Sequence, residues 1–164
     1  MLYKTHIAVT YATALPLMAM TGPVTVGNLF ALGLGSVMPD IDHPKSFIGN
    51  RTGGISQGIG KVFGHRGLAH SLLGTGVFYL LAQALITSFN FPSSWLSWFI
   101  AGYLAHLVQD SFSRTGVAWL QPVINKRIQF GFRIVYYRTG RTAETIIFWL
   151  ACGGVLYQFS RLLK

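Results

Sequence analysis

The stretch Pro39-Asp40-Ile41-Asp42-His43 sets two carboxylates one residue apart with an imidazole directly after them, in a chain that has only four acidic side chains. Farther along, His106 and Asp110 stand four residues apart, and His6, His65 and His70 complete the histidines. Imidazole mixed with carboxylate is a donor set for divalent cations. Zinc suits it best, and carboxylate-rich sites also admit manganese or iron. Residues four apart on a helix share a face, with Cβ atoms about 5–6 Å apart. His106 and Asp110 can therefore grip one ion or two adjacent ones. The donors outnumber what a single tetrahedral ion needs, so one to three ions fit the pattern.

Asp40, Asp42, His70, His106 and Asp110 are the leading ligand candidates, with His6 and His65 next. His43, or a carboxylate left without metal, is a candidate general base. Arg66 follows His65 and could hold a phosphoryl group or stabilise developing negative charge. Taken singly, each has a plain structural reading: a hydrogen-bonded core histidine, an ion pair along a helix, an acidic turn at a helix end. Glu144 opens the last apolar segment, where a carboxylate favours the helix dipole, and reads as a cap or a partner of Arg141.

These groups need elements to position them. The chain has 164 residues, 51% hydrophobic and only 10% charged, with a net charge of +9. Soluble domains are usually about 25% charged, so the composition is that of a membrane protein and the length that of one domain. Five apolar segments can be marked, at about 5–20, 24–38, 68–89, 94–112 and 143–160. A membrane span needs about 20 apolar residues. The third and fourth qualify outright, the fifth is marginal, and the first two are short, with Pro16 bending the first. The first segment reads as an uncleaved helix rather than a signal peptide. The single cysteine, Cys152, lies in an apolar run and excludes a disulfide framework or a cysteine zinc site.

The expected fold is an all-α, polytopic membrane helical bundle of about five apolar helices and two basic interfacial connections. Those connections are 39–67 and 113–142. If every segment crosses, they share one face with Lys4 and hold eleven of the thirteen basic residues. The positive-inside rule makes that face cytoplasmic and leaves the C-terminus outside. All five histidines and Asp40, Asp42 and Asp110 fall on the same face. Ionisable groups at membrane depth cost roughly 2.5–3.5 kcal/mol each, so they pair or line a functional cavity. Within the connections, Ile55, Ile59, Val62 and Phe63 suggest a short amphipathic helix on the membrane. Residues 127–138 suggest an interfacial hairpin, with aromatics at headgroup depth and arginines on phosphates. The expected partners are membrane lipids with anionic headgroups rather than nucleic acid.

Thr5-His6, Pro39-Asp-Ile-Asp-His-Pro-Lys-Ser-Phe47, Gly64-His-Arg-Gly-Leu-Ala-His-Ser71, Gly102-Tyr-Leu-Ala-His-Leu-Val-Gln-Asp110 and Gly116-Val-Ala-Trp-Leu-Gln-Pro122 resemble the YdjM-type family, in order and over most of the chain. The resemblance implies a bacterial inner-membrane protein and a LexA-regulated, metal-dependent hydrolase. Ala69 stands where that family commonly has Thr. His106 and Asp110 are also similar to the His-x-x-x-Asp helix pair of zinc-dependent phospholipase C and P1 nuclease, whose second helical pair, His-x-x-x-Glu, is absent here. The reading that unites these features is a membrane-embedded hydrolase with a cytoplasm-facing His/Asp site, acting on a phosphoester of a lipid or another membrane-associated substrate. A non-catalytic structural or sensing metal site is the alternative, and a metal transporter a third.

Overall fold

A computed structural model describes residues 1–43, 46, 48–51 and 67–162. Among these, the chain forms five α-helices and three short 3-10 turns, with no strand longer than an isolated bridge. The helices are α1 (Tyr3–Thr21), α2 (Val26–Gly35), α3 (Leu72–Phe89), α4 (Ser93–Ser111) and α5 (Thr142–Leu162). The 3-10 turns are Met38–Asp42, Gly49–Arg51 and Leu68–His70.

Local chemistry sets the boundaries. Gly22 ends α1, its N–H donating to the Met18 carbonyl. Thr25 caps α2, its hydroxyl accepting the Asn28 N–H at 3.1 Å. Ser71 caps α3 in the same way, accepting the Gly74 N–H at 3.1 Å. Asn90 closes α3 in the left-handed conformation (φ 56°), which Asn tolerates better than most residues. Pro92 then starts α4, where a missing N–H costs nothing.

Helix α2 packs closely along α4, α1 lies against α5, and α3 covers another side of α4. The α2–α4 contact depends on glycine. A Cβ on Gly35 would sit 2.0 Å from the Phe99 carbonyl oxygen, and one on Gly102 would sit 2.2 Å from that of Leu32. Small residues at such crossings let helix backbones approach directly, as in membrane helix pairs. The packed centre holds Ala31, Phe99, Tyr103, Leu107 and Val117.

Among the described residues, two helices are long and apolar enough to cross a membrane, α3 and α5. A core helix of a soluble protein would be covered, yet only 11% of α3's apolar window and 6% of α5's is buried. Their outer faces carry side chains such as Leu80 (66% exposed), Leu150 (72%) and Leu156 (72%). The fourth segment, expected as an outright span, is not one of these two, while the fifth, expected as marginal, is. Helix α4 carries His106, Gln109 and Asp110 on a buried face, which lowers its hydropathy and points those groups at protein. Helices α1 and α2 also fall short, so five membrane-crossing helices are not established.

Residues 127–138 do not pair with one another as a hairpin. Their ends pair with the segment after α4: Val117 bridges Ile128 and Ser113 bridges Tyr137. The expected amphipathic helix at Ile55–Phe63 lies outside the described residues.

Candidate metal centre

The site is assembled from four elements. Helix α1 brings His6, the Met38–Asp42 turn brings Asp40 and Asp42, the Leu68–His70 turn brings His70, and α4 brings His106 and Asp110. Five of these side chains are at most 2% exposed, while Asp40 is 22% exposed and forms the open side.

Each imidazole is oriented by its Nδ1. His6 Nδ1 donates to Gln109 Oε1 at 2.9 Å, and the Gln109 amide is itself fixed by donating to Thr10 Oγ1 at 2.8 Å. His70 Nδ1 donates to Asp42 Oδ2 at 3.2 Å. His106 Nδ1 donates to the Ser36 carbonyl at 2.8 Å. With Nδ1 carrying the hydrogen on all three rings, the Nε2 lone pairs are left to face the centre. A partner that fixes one nitrogen so that the other can ligate is the usual support of a metal-binding histidine.

The inward atoms are close together. His70 Nε2 and His106 Nε2 are 3.3 Å apart. Asp40 Oδ1 lies 3.6 and 3.7 Å from them, and Asp110 Oδ2 lies 3.9 Å from each. Ligands at zinc distances of about 2.0–2.1 Å in a tetrahedron stand about 3.3–3.4 Å apart. The separation of the two Nε2 atoms is therefore that of two ligands on one zinc ion, and each carboxylate oxygen stands a few tenths of an ångström farther out. A second group adjoins it: His6 Nε2 is 3.4 Å from Asp110 Oδ1, and the His6 and His106 rings stack with centroids 3.8 Å apart. His6, His106 and Asp110 form one ligand group and Asp40, His70 and His106 another, with His106 common to both.

Two lone pairs at 3.3 Å repel unless positive charge lies between them. A proton on His70 would supply that charge. Burial opposes it, but Asp40 and Asp42 outweigh burial and push the imidazole up to about 9. For Asp40 itself, burial disfavours charge, yet the surrounding His106, His70 and His6 rings hold its carboxyl well below the usual range. His6 Nε2 and Asp42 Oδ1 are buried with no hydrogen-bond partner among the described residues. Unsatisfied buried groups are costly, and a divalent cation at the centre would satisfy His6 Nε2, though not Asp42 Oδ1.

The remaining candidates are placed differently. Asp42 sits behind His70, also accepting the Gly67 N–H at 3.2 Å, and so orients the ring. His43 ends the Met38–Asp42 turn and belongs to neither ligand group. His65 and Arg66 lie outside the described residues. Glu144 accepts the N–H groups of Leu2 and Gly140, which supports its reading as a cap and ties the start of α5 to that of α1.

Sequence reasoning missed three supporting groups: Gln109, the Ser36 carbonyl and Tyr137. The Tyr137 hydroxyl donates to Asp110 Oδ1 at 2.9 Å and is buried. The α-nitrogen of Met1 also reaches Asp110 Oδ1, at 3.1 Å. Gln109 had a readable signal, a polar residue three after His106 in an apolar helix. Ser36 acts through its main chain and had none.

Fold and site together define an all-helical protein with two exposed apolar helices able to cross a membrane and a buried histidine–carboxylate cluster able to bind metal. Residues 1–162 match the family described as YdjM inner membrane protein, and the chain belongs to that family. It is 39% identical over 117 residues to "Inner membrane protein YdjM" of Escherichia coli (strain K12), and equally so to that of Shigella flexneri. Each match covers 70% of this chain but 57% of the relative, so the alignment spans little more than half the length of those proteins. The protein YvsG of Bacillus subtilis (strain 168) is 32% identical over 116 residues, covering 70% of this chain and 66% of its own length. No solved structure matches the chain.

Proposed function

We propose that this protein is a multi-pass membrane metallohydrolase whose centre faces the cytoplasm and acts on a phosphoester of a lipid or another membrane-associated substrate. The observation that supports it most is the approach of Asp40 Oδ1 and Asp110 Oδ2 to within 3.6–3.9 Å of His70 Nε2 and His106 Nε2, themselves 3.3 Å apart, with the rings of His6, His70 and His106 fixed through Nδ1. His70, His106, Asp40 and Asp110 would hold one divalent ion, zinc by preference. His6 Nε2 and the other oxygen of Asp110, 3.4 Å apart, would offer ligands to a second. An ion there supplies Lewis acidity and brings the pKa of a coordinated water to about 7.

The protein's own groups do the rest. Gln109, Asp42 and Ser36 keep the rings aimed inward. Tyr137 fixes the outer oxygen of Asp110. The partial exposure of Asp40 supports a substrate side, which a closed structural site would lack. His43, at the end of the same turn, is assigned proton transfer, and Arg66 the phosphoryl group.

The proposed topology follows from chain direction. Helices α3 and α5 both start at the end of the molecule that holds the site, so α4 must return the chain across the membrane between them. Its polar face is tolerable there because α1, Ser36 at the end of α2, the His70 turn and Tyr137 cover it. The excess of basic residues at that end makes it cytoplasmic.

Detergent-purified protein should carry stoichiometric zinc or manganese by elemental analysis and hydrolyse a member of a phospholipid and phosphodiester panel. His106→Ala and Asp110→Ala should lose both metal and turnover. Bound metal with no hydrolysis across the panel would favour the structural or sensing role instead.

A further inference from the structure

The connection between Asp110 and Glu144 contains six basic residues and no acidic one. It is mounted firmly on the end of α4. Phe130 N–H donates to the Ser111 carbonyl at 3.0 Å and Tyr137 N–H to the Phe112 carbonyl at 3.2 Å. Tyr137 then buries itself against Gln109 and Asp110. Between those fixed legs the chain forms a braced tip. Gln129 accepts the Arg133 N–H at 2.7 Å and donates to the Val135 carbonyl at 3.0 Å. Gly131 leaves no room for a side chain, since a Cβ there would meet the Val135 carbonyl oxygen at 1.7 Å. Phe132 and Arg133 are consecutive non-glycine residues in the left-handed region, at φ 50° and 62°.

The brace holds that strained backbone in a shape that turns apolar side chains outward. Phe132 is 86% exposed, Ile134 85% and Val135 66%, and Val123 nearby is 87% exposed. Strain kept in place by specific contacts points to a use for the shape. A tip that combines outward apolar groups with Lys126, Arg127 and Arg133, and leads directly into the apolar helix α5, matches one surface: a leaflet with anionic headgroups. An acidic protein would satisfy the charges but leave the isolated aliphatic groups in water.

We propose that residues 123–135 are a membrane-docking wedge that inserts Phe132 and Ile134 below the headgroups of an anionic leaflet, with Lys126, Arg127 and Arg133 on the lipid phosphates. The proposal is independent of any metal or hydrolytic activity.

The test uses the full chain with Cys152→Ala, carrying an environment-sensitive fluorophore on Phe132→Cys or, separately, on Ile134→Cys. Both sites are exposed, so either variant should fold. The protein is reconstituted in vesicles of phosphatidylglycerol with phosphatidylethanolamine, and in vesicles of phosphatidylcholine alone. Emission should shift to the blue and be quenched by lipids spin-labelled just below the headgroup. Both effects should be larger in the anionic vesicles, and that excess should vanish in high salt and in a Lys126→Gln, Arg127→Gln, Arg133→Gln variant. Water-like emission in both membranes would overturn the wedge, and equal insertion in both would overturn the anionic preference. Disulfide cross-linking of two chains through Phe132→Cys in nanodiscs would assign the tip to a second copy instead.

Discussion

Asp42 donates nothing to the converging atoms, yet it holds His70 Nδ1 at 3.2 Å and governs which way that ring presents its lone pair. Asp42→Asn should weaken metal binding by about 10–100-fold, the usual effect of losing such an orienting group. Competition against a chromophoric chelator would measure it, and His70→Ala should bind far less than Asp42→Asn. Proton and metal would also compete at His70. Because its imidazole is pushed up to about 9, metal-free protein carries a proton there at neutral pH, and binding must release it. Apparent affinity should therefore rise with pH, by roughly tenfold per unit for one displaced proton, and level off above about 9. Titration calorimetry in buffers of different ionisation enthalpy would count the protons released. The histidines and aspartates were legible in the sequence because ionisable groups stand out in apolar segments. Tyr137 was not, since it sits among other aromatic and basic residues and only folding brings it to Asp110.

Between elements, the close crossing of α2 and α4 sets the centre. Gly102 lies one turn before His106, and the carbonyl that orients His106 belongs to Ser36 at the end of α2. Gly102→Ala would place a methyl against the Leu32 carbonyl oxygen, forcing the helices apart and drawing Ser36 away. We expect a loss of about 1–3 kcal/mol, seen as a lower melting temperature in detergent, together with lower metal content. Gly76→Ala is the control. A Cβ there meets nothing within 4 Å, and alanine is the better helix former by about 0.8–1 kcal/mol, so stability should hold or rise. All five helices fall near the apolar segments because Gly22, Pro23, Asn90 and Pro92 mark turns by local chemistry alone. Which of them face lipid was not legible, because hydropathy does not report the neighbour a helix packs against. That is how the fourth segment came to look the more apolar span and the fifth the weaker one.

For the whole molecule, helix direction makes a topological prediction. Alkaline phosphatase fused after Arg161 should be active outside the cytoplasm, while fusions within residues 114–141 should be inactive and a fluorescent protein there bright. The opposite pattern would put the centre on the outer face. The N-terminal ends of α1, α3 and α5 and the C-terminal end of α4 meet at the end of the molecule that holds the site, so the fusions would report which side of the membrane that end faces.

The uneven burial of the six converging residues has a kinetic consequence. Only Asp40 is appreciably open to solvent, at 22%, while the others are at most 2% exposed. An ion held by this set would meet solvent first at that carboxylate, so a slower swing of that one side chain would lengthen the ion's stay without changing how tightly it binds.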